Sequence, residues 1–174
     1  GVIVKAGDDL RQEQFAMQLL AEMSDIWREA SLRLRVRTYA ILSTAPTAGL
    51  IEMVPDAVSV ATLRRRHPRF SSLKNFYLEA YGPVDSPSFK AAQDNFIRSM
   101  AAYSVATYIL QLKDRHDGNI LVERDGGIAH IDFGFMLSRR MNEVVEIESA
   151  PFKLTQDHVD LMLLGAGGAG YQHF

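Results

Sequence analysis

The segment DRHDGNILVERDGGIAHIDFG, residues 114–134, restricts the possible fold more than any other part of the chain. Its two apolar runs, NILV and IAHIDF, are separated by ERDGG, which contains the Asp-Gly and Gly-Gly pairs typical of tight turns. This pattern predicts a β-hairpin with Asn119 just before its first strand and Asp132 at the end of its second. We therefore expect Asn119 and Asp132 to lie close together, with His130 on the same strand face as Asp132.

The polar residues of this hairpin suit a magnesium site for phosphoryl transfer. Asn and Asp supply hard oxygen ligands, and Mg²⁺ needs one or two of them when phosphates and water fill its other positions. Asp114 lies five residues before Asn119, and Asp132 opens an Asp-Phe-Gly triplet thirteen residues after Asn119. Kinase catalytic loops have the same D-x-x-x-x-N spacing with Asp-Phe-Gly downstream. One difference is the order Asp-Arg-His, where protein kinases have His-Arg-Asp.

The composition is that of a globular protein and excludes several classes of function. Of the 174 residues, 47% are hydrophobic and 23% are charged, and the formal net charge is -2. Because there is no basic excess, non-specific binding to nucleic acid is not favoured. The lack of cysteine excludes disulfides, thiolate zinc sites and cysteine nucleophiles. No apolar run reaches the roughly 18 residues of a membrane span, so we expect a cytoplasmic protein.

The hydrophobic periodicity of the remaining chain predicts a mixture of helices and strands. The predicted strands are 2–5, 32–44 and 49–54, and the predicted helices are 9–30, 58–66, 71–81 and 88–112. We expect the second and third of these strands to pair, and Asp8 or Asp9 to cap the first helix. The chain begins within a strand and ends abruptly, which indicates an incomplete fold. Two basic runs, 33–37 and 63–69, are expected to be solvated surfaces.

Several motifs resemble the phosphoinositide 3- and 4-kinase family, and most closely its phosphatidylinositol 4-kinase type III beta group. These motifs are KAGDDLRQE, QLKDRHDGNILV, HIDFGFMLS and FKLT. The first looks like the family's lysine strand and following helix, and GLIEMVPDAVS, residues 49–59, looks like its hinge. The resemblance covers nearly the whole chain except about 60–88 and the last ten residues.

This resemblance implies an α+β fold, a two-lobed protein-kinase-like catalytic domain that is incomplete. Residues 1–54 would form part of the N-lobe and residues 55–174 part of the C-lobe. The phosphate-covering loop, which should precede the lysine strand, and the C-terminal helices would be lacking. ATP and Mg²⁺ are the implied cofactors. The implied nucleotide-binding residues are Lys5, paired with Glu13 and gripping the phosphates, Tyr39 near the adenine, and the hinge residues Glu52 and Val54.

The resemblance also implies roles in catalysis, and two of them stay open. Asn119 and Asp132 are the expected metal ligands. Either Asp114 or His116 accepts the proton of the inositol hydroxyl, a role in which the family favours the histidine. Arg115 either braces the loop or contacts the transferred phosphate. His130 is either part of the site or a hydrogen-bonded structural residue.

The segment after Asp-Phe-Gly, about 136–155, is expected to face the lipid substrate. Its candidate contacts are Arg139, Arg140 and Lys153, of which Lys153 is the expected contact of the lipid phosphodiester. Three glutamates in the same segment balance these charges. Head groups that already carry several phosphates would favour a basic cluster, so the balance favours unphosphorylated phosphatidylinositol.

The function implied is transfer of the ATP γ-phosphate to the 4-hydroxyl of phosphatidylinositol. The resemblance further implies peripheral binding to the cytosolic face of Golgi-type membranes, with small GTPases and adaptor proteins as partners. Two alternatives remain open at this point. One is a phosphoinositide 3-kinase or a related protein kinase, and the other is a catalytically inactive nucleotide-binding scaffold.

Overall fold

The computed structural model describes residues 1–67, 69–137 and 150–165, which form an α+β arrangement of six strands and five helices. The strands are β1 (Val2–Ala6), β2 (Ile41–Ala45), β3 (Ala48–Glu52), β4 (Ala57–Ser59), β5 (Ile120–Glu123) and β6 (Ile128–His130). The helices are α1 (Arg11–Glu29), α2 (Val60–Arg66), α3 (Leu73–Tyr81), α4 (Pro87–Leu110) and α5 (Gln156–Leu163). Among these residues, no helix combines the length and the apolar character that a bilayer span requires.

The strands form two antiparallel three-stranded sheets. The first has the order β1-β3-β2, and Lys5 of β1 lies opposite Gly49 of β3. Gly49 is required there because a Cβ would lie 2.5 Å from the Leu42 carbonyl oxygen and 2.7 Å from Leu10 Cδ1. The second sheet has the order β4-β5-β6 and contains the expected hairpin, in which Ile120 pairs with His130.

Three of the helices begin where a serine side chain caps them. The hydroxyls of Ser59, Ser72 and Ser86 accept hydrogen bonds from the backbone three residues later, at 3.2, 3.1 and 3.1 Å. Each bond satisfies one of the amides that a helix start leaves unpaired. These caps explain why α2, α3 and α4 begin close to their predicted positions.

The predicted aspartate cap of α1 lies one residue earlier than the helix N-cap. The N-cap is Leu10, which is buried and makes no side-chain cap. Asp9 precedes it, and the Asp9 carboxylate accepts from the backbone N–H of Arg11 at 3.1 Å, so it satisfies the first amide of the helix. Asp9 also pairs with the Arg11 side chain at 2.6 Å, whereas Asp8 pairs with Lys5 at 2.7 Å.

The predicted strand 32–44 was also wrong over most of its length, because the strand is confined to Ile41–Ala45. The phenol of Tyr103 donates to the Arg37 carbonyl and accepts from the Arg37 amide, both at 3.1 Å. The Arg35 and Arg37 side chains pair with Glu123, at 2.7 and 2.5 Å. These bonds hold the segment against β5. Arg35 and Arg37 are therefore partly buried and paired, and of the arginines in this basic run Arg33 is exposed as predicted.

The helix α4 is the centre of the hydrophobic core. Its aromatic residues Phe89, Phe96 and Tyr103 are almost fully buried, whereas Tyr108, near its C-terminal end, is exposed. The three buried residues belong to one cluster with Tyr77 of α3 and Phe133, which follows β6. The core thus packs against the hairpin, and in the loop before it His116 is exposed whereas Arg115 and Asn119 are buried.

Candidate functional site

Asn119 joins the loop after α4 to the strand that leads to Asp132. Its side-chain amide donates to the Asp114 carbonyl at 2.9 Å, and its backbone amide donates to the His116 carbonyl at 2.9 Å. Its own carbonyl accepts from Ile131 N–H at 3.0 Å. These bonds link Asn119 to the loop residues Asp114 and His116 and to Ile131, the residue before Asp132. Because Asn119 Nδ2 is engaged as a donor, its amide oxygen is the atom that can face a cation.

Asp132 is exposed and lies just beyond the end of β6, with φ of +61°. The prediction that it shares a strand face with His130 was wrong, because the chain leaves the extended conformation after His130, which is buried. Left-handed backbone is uncommon for a residue other than glycine. Here it is held by three bonds. Asp132 N–H donates to Glu13 Oε1 at 3.2 Å, Gly134 N–H donates to Asp132 Oδ1 at 3.4 Å, and the Asp132 carbonyl accepts from Arg115.

Arg115 is 2% exposed, and its guanidinium contacts backbone carbonyls on both sides of the site. It donates to the Lys113 carbonyl and the Ile131 carbonyl, each at 2.9 Å, and to the Asp132 carbonyl. Its guanidinium carbon also lies 5.3 Å from the centre of the Phe133 ring, in cation-π geometry. Of the two roles left open for this residue, these contacts support that of a brace.

Asp114 and His116 face each other at the start of the loop. Asp114 has a left-handed backbone, φ +62°, and one carboxylate oxygen lies 3.8 Å from His116 Nε2. The other ring nitrogen, Nδ1, accepts from Gly118 N–H at 2.9 Å. In the neutral ring this bond places the proton on Nε2, on the side of Asp114. In this arrangement the carboxylate, and not the imidazole, presents the unprotonated group.

The structure does not form the expected pair between Lys5 and Glu13. Lys5 Nζ lies 2.7 Å from Asp8 Oδ2, because a turn at Gly7, φ +82°, folds Asp8 back over the end of β1. Partial burial would lower the pKa of Lys5, but its hydrogen bond to Asp8 and the charges of Asp8, Asp132 and Glu13 raise the pKa above its ordinary value. Lys5 therefore stays charged and within the electrostatic field of Asp132.

Glu13 instead connects α1 to the core and to the metal-binding candidate. It is buried, and it accepts from Tyr39 Oη at 2.8 Å as well as from Asp132 N–H. Burial, followed by the charge of Glu13, raises the pKa of Tyr39. Tyr39 is thus held in place by its hydrogen bond to Glu13.

The remaining expected residues are placed as follows. Glu52 ends β3, and its carboxylate accepts from Ala40 N–H at 2.8 Å. Val54 is partly buried against the core. Lys153 is exposed, three residues before α5. Arg139 and Arg140 lie outside the described residues.

Two positioning residues were missed by the sequence reasoning. Gln12 of α1 donates to the Phe133 carbonyl at 3.2 Å and to the Gly134 carbonyl at 2.9 Å, and so fixes the Asp-Phe-Gly segment to α1. Arg64 of α2 pairs with Asp117 in the loop at 2.7 Å and with Asp157 of α5 at 3.3 Å. Their residue types carry no local signal for these contacts, because the partners lie far away in sequence.

The described residues contain no group of three or more His, Cys, Asp and Glu side chains placed to hold a metal. The candidate site has only two protein ligands, the amide of Asn119 and the carboxylate of Asp132, so it does not form such a group. It corresponds to the way Mg²⁺ is held when nucleotide phosphates supply its other ligands.

The amino-acid sequence of the chain is similar to that of a known protein family. It matches the sequence model of the phosphatidylinositol 3- and 4-kinase family over residues 1–71 and 65–172. The chain belongs to this family. The phosphatidylinositol 3- and 4-kinase match therefore includes the whole hairpin, the lysine strand and α1.

Curated relatives lie within the 4-kinase part of the family. The chain is 50% identical to a phosphatidylinositol 4-kinase of Dictyostelium discoideum and 47% identical to phosphatidylinositol 4-kinase beta 1 of Arabidopsis thaliana, in each case over 99% of its length. It is 44% identical to phosphatidylinositol 4-kinase beta of Xenopus laevis over 92% of its length. The chain spans 14%, 15% and 20% of these relatives, respectively.

Proposed function

We propose that this chain is the central part of a lipid kinase that transfers the γ-phosphate of ATP to the 4-hydroxyl of phosphatidylinositol. The observation that carries the proposal is the hairpin, in which Asn119 donates to the Asp114 carbonyl and accepts from the backbone N–H of Ile131, the residue before Asp132. The relatives named phosphatidylinositol 4-kinase support the substrate and the position of transfer.

The donor set fits Mg²⁺ bound together with ATP. The exposed carboxylate of Asp132 and the amide oxygen of Asn119 are hard ligands, and Lys5 adds a positive charge near Asp132. When bound, Mg²⁺ would neutralise negative charge on the transferring phosphate. Asn119 and Asp132 would hold it, Glu13 and Arg115 would fix the backbone of Asp132, and Lys5 would contact the phosphates.

For the proton of the inositol hydroxyl, the geometry favours Asp114 over His116. Asp114 presents a carboxylate oxygen, whereas His116 has one nitrogen engaged with Gly118 and the other protonated in its neutral form. A positioned base contributes about 10² to 10⁴ in rate. His116 would then orient Asp114 or stabilise its charge, and rotation of the exposed imidazole would restore the alternative role.

The nucleotide would lie between two lobes, 1–54 and 55–174. Lys5 and Glu52 stand on the neighbouring strands β1 and β3, and Val54 follows, so one side of the site is contributed by the first lobe. Tyr39, Glu52 and Val54 are proposed to border the adenine. Lys153, with Arg139 and Arg140, is proposed to contact the lipid. Binding to the cytosolic face of Golgi-type membranes, small GTPases and adaptor proteins belongs to the same proposal.

The test uses the longest available chain with labelled ATP, Mg²⁺ and phosphatidylinositol in detergent micelles. We expect label at the 4-position, and we expect Asp132→Asn to lose nearly all turnover. Asp85→Asn, the same change at an exposed residue of the α3–α4 loop, is the matched control and should retain turnover. Label at another position would move the protein to another branch of the family. Equal turnover in the two variants would show that Asp132 does not hold the metal, and no label in any of the three proteins would favour the scaffold.

A further inference from the structure

A small, partly open cavity lies between α4, β6 and α5, and the exposed Lys153 is one of its lining residues. Its polar lining consists of Ser104, Thr107, Arg115, His130, Lys153 and His158. The space open to the centre of a water molecule is about 10 Å³. That volume is close to the minimum required for one water.

His130 faces this cavity with unsatisfied hydrogen-bonding groups. The residue is 6% exposed, and within the described part of the chain neither ring nitrogen has a hydrogen-bond partner. The ring stacks flat on Tyr103, with centres 4.1 Å apart and planes 7° apart. Because Tyr103 is anchored to Arg37 through its phenol, the stack fixes the plane of the imidazole. A buried donor or acceptor without a partner is destabilising, and native structures supply one from protein or ordered water.

The second histidine of the cavity has a defined donor. His158 Nδ1 accepts from Thr155 N–H at 3.2 Å as part of a capping box, so the proton of the neutral ring lies on Nε2. Burial lowers the pKa of His158 to about 4, so the ring is neutral near pH 7. A water in this cavity would have an N–H donor on α5, an imidazole on β6 and two hydroxyls on α4 within its lining, which meets the usual two to four partners.

We propose that this cavity is a hydration site, in which one water joins His130 of β6 to the polar groups of α4 and α5. The water supplies the missing partner of His130. It also connects the strand that leads to Asp132 with the helix that follows Lys153. The meaning of this link for Asp132 and Lys153 rests on the proposed kinase function, whereas the hydration site does not depend on that function.

The direct test is an experimental structure of the longest available chain at a resolution that shows ordered water. We expect density for one water within hydrogen-bonding distance of a His130 ring nitrogen, and loss of that density in His130→Phe. Phenylalanine keeps a ring that can stack on Tyr103 and removes both nitrogens. The control is His67→Phe, because His67 Nδ1 is also buried and has no hydrogen-bond partner among the described residues, but does not line this cavity. That variant should keep the water.

A second measurement does not depend on crystals or on turnover. Unfolding free energies of His130→Phe, His158→Phe and the double variant form a cycle, and a shared water makes the two changes non-additive. A dry cavity, density that belongs to a rotated protein side chain such as Lys153, or additive free energies would each overturn the site. If His130→Phe does not fold, the structure of the unchanged chain decides by itself. Lipid kinase activity enters none of these readouts, so failure of the proposed function would leave the result intact.

Discussion

Substitution of Arg115 by lysine separates the two roles that its position allows. Lysine keeps a positive charge and can bind phosphate, but its ammonium cannot replace a planar guanidinium that contacts three carbonyls. If Arg115 is a brace, Arg115→Lys loses about two of the bonds to Lys113, Ile131 and Asp132. If it contacts the transferred phosphate, the local structure should stay unchanged.

The size of the effect follows from the number of bonds. Hydrogen bonds to charged groups contribute about 1.5 to 3 kcal/mol each, so two lost bonds correspond to about 3 kcal/mol or more. Since 1.4 kcal/mol is a factor of ten, the opening equilibrium around residues 112–134 should rise by roughly a hundredfold. Hydrogen exchange measures this local opening without assuming that a long chain unfolds in one step.

The assay compares amide exchange in peptides that cover residues 112–134, in the unchanged chain and in Arg115→Lys. Arg124→Lys, at an exposed arginine of the hairpin turn, is the control and should exchange like the unchanged chain. Protection that is the same in all three proteins, together with lost turnover in Arg115→Lys, would refute the brace and favour the phosphate contact.

Three further predictions concern the supports of the site. Gln12→Leu removes two hydrogen bonds to the Asp-Phe-Gly segment, worth about 1 kcal/mol each. It should lower the turnover more than the affinity for ATP. The control is Gln18→Leu, at an exposed position of α1. Glu123→Gln removes the buried carboxylate that Arg35 and Arg37 share. Because both arginines are partly exposed and Arg35 keeps its pair with Asp125, the unfolding free energy should fall by about 1.5 to 3 kcal/mol in a denaturant titration. Stability should also fall on acidification from pH 7 to pH 5. The pKa of His158 is about 4 when folded against 6.5 when unfolded, so the unfolded chain takes up the proton first and the loss is about 2 kcal/mol. His158→Phe should reduce this dependence, as measured by thermal unfolding at both pH values.

Each of these has a clear contradicting result. Unchanged turnover in Gln12→Leu would show that α1 does not position the Asp-Phe-Gly segment. A loss below about 1 kcal/mol for Glu123→Gln would mean that its ion pairs behave like exposed ones. A pH dependence that is the same with and without His158 would show that other groups cause it.

Local chemistry explains what the sequence revealed of this fold. The hairpin was predictable because its Asp-Gly-Gly turn and its two apolar runs lie within a few residues of each other. The helices α2, α3 and α4 were predictable because their periodicity is strong and a serine precedes each one.

The errors arose where distant residues override the local pattern. Residues 32–40 alternate like a strand, but Arg35 and Arg37 bind Glu123, which is more than 80 positions away. The expected face shared by His130 and Asp132 assumed a continuing strand, whereas contacts from Arg115 and Glu13 turn the backbone at Asp132.

In the candidate site, too, residues with a local sequence pattern were predictable and residues that act through distant contacts were not. Asp114, Asn119 and Asp132 have a recognisable spacing, so they could be predicted as site residues from the sequence alone, and their roles stay predictions. Gln12 and Arg64 act through geometry alone, and their residue types are common on helix surfaces. Sequence also could not show that Lys5 contacts Asp8 in place of Glu13, since both acids lie within the same motif.

An experimental structure of the longest available chain with Mg²⁺ and a non-hydrolysable ATP analogue tests the metal site most directly. We expect the metal at about 2.1 Å from the amide oxygen of Asn119 and from a carboxylate oxygen of Asp132, with phosphate oxygens and water completing its coordination. A metal held by other side chains, with Asn119 and Asp132 both outside its coordination shell, would contradict the function proposed for the hairpin.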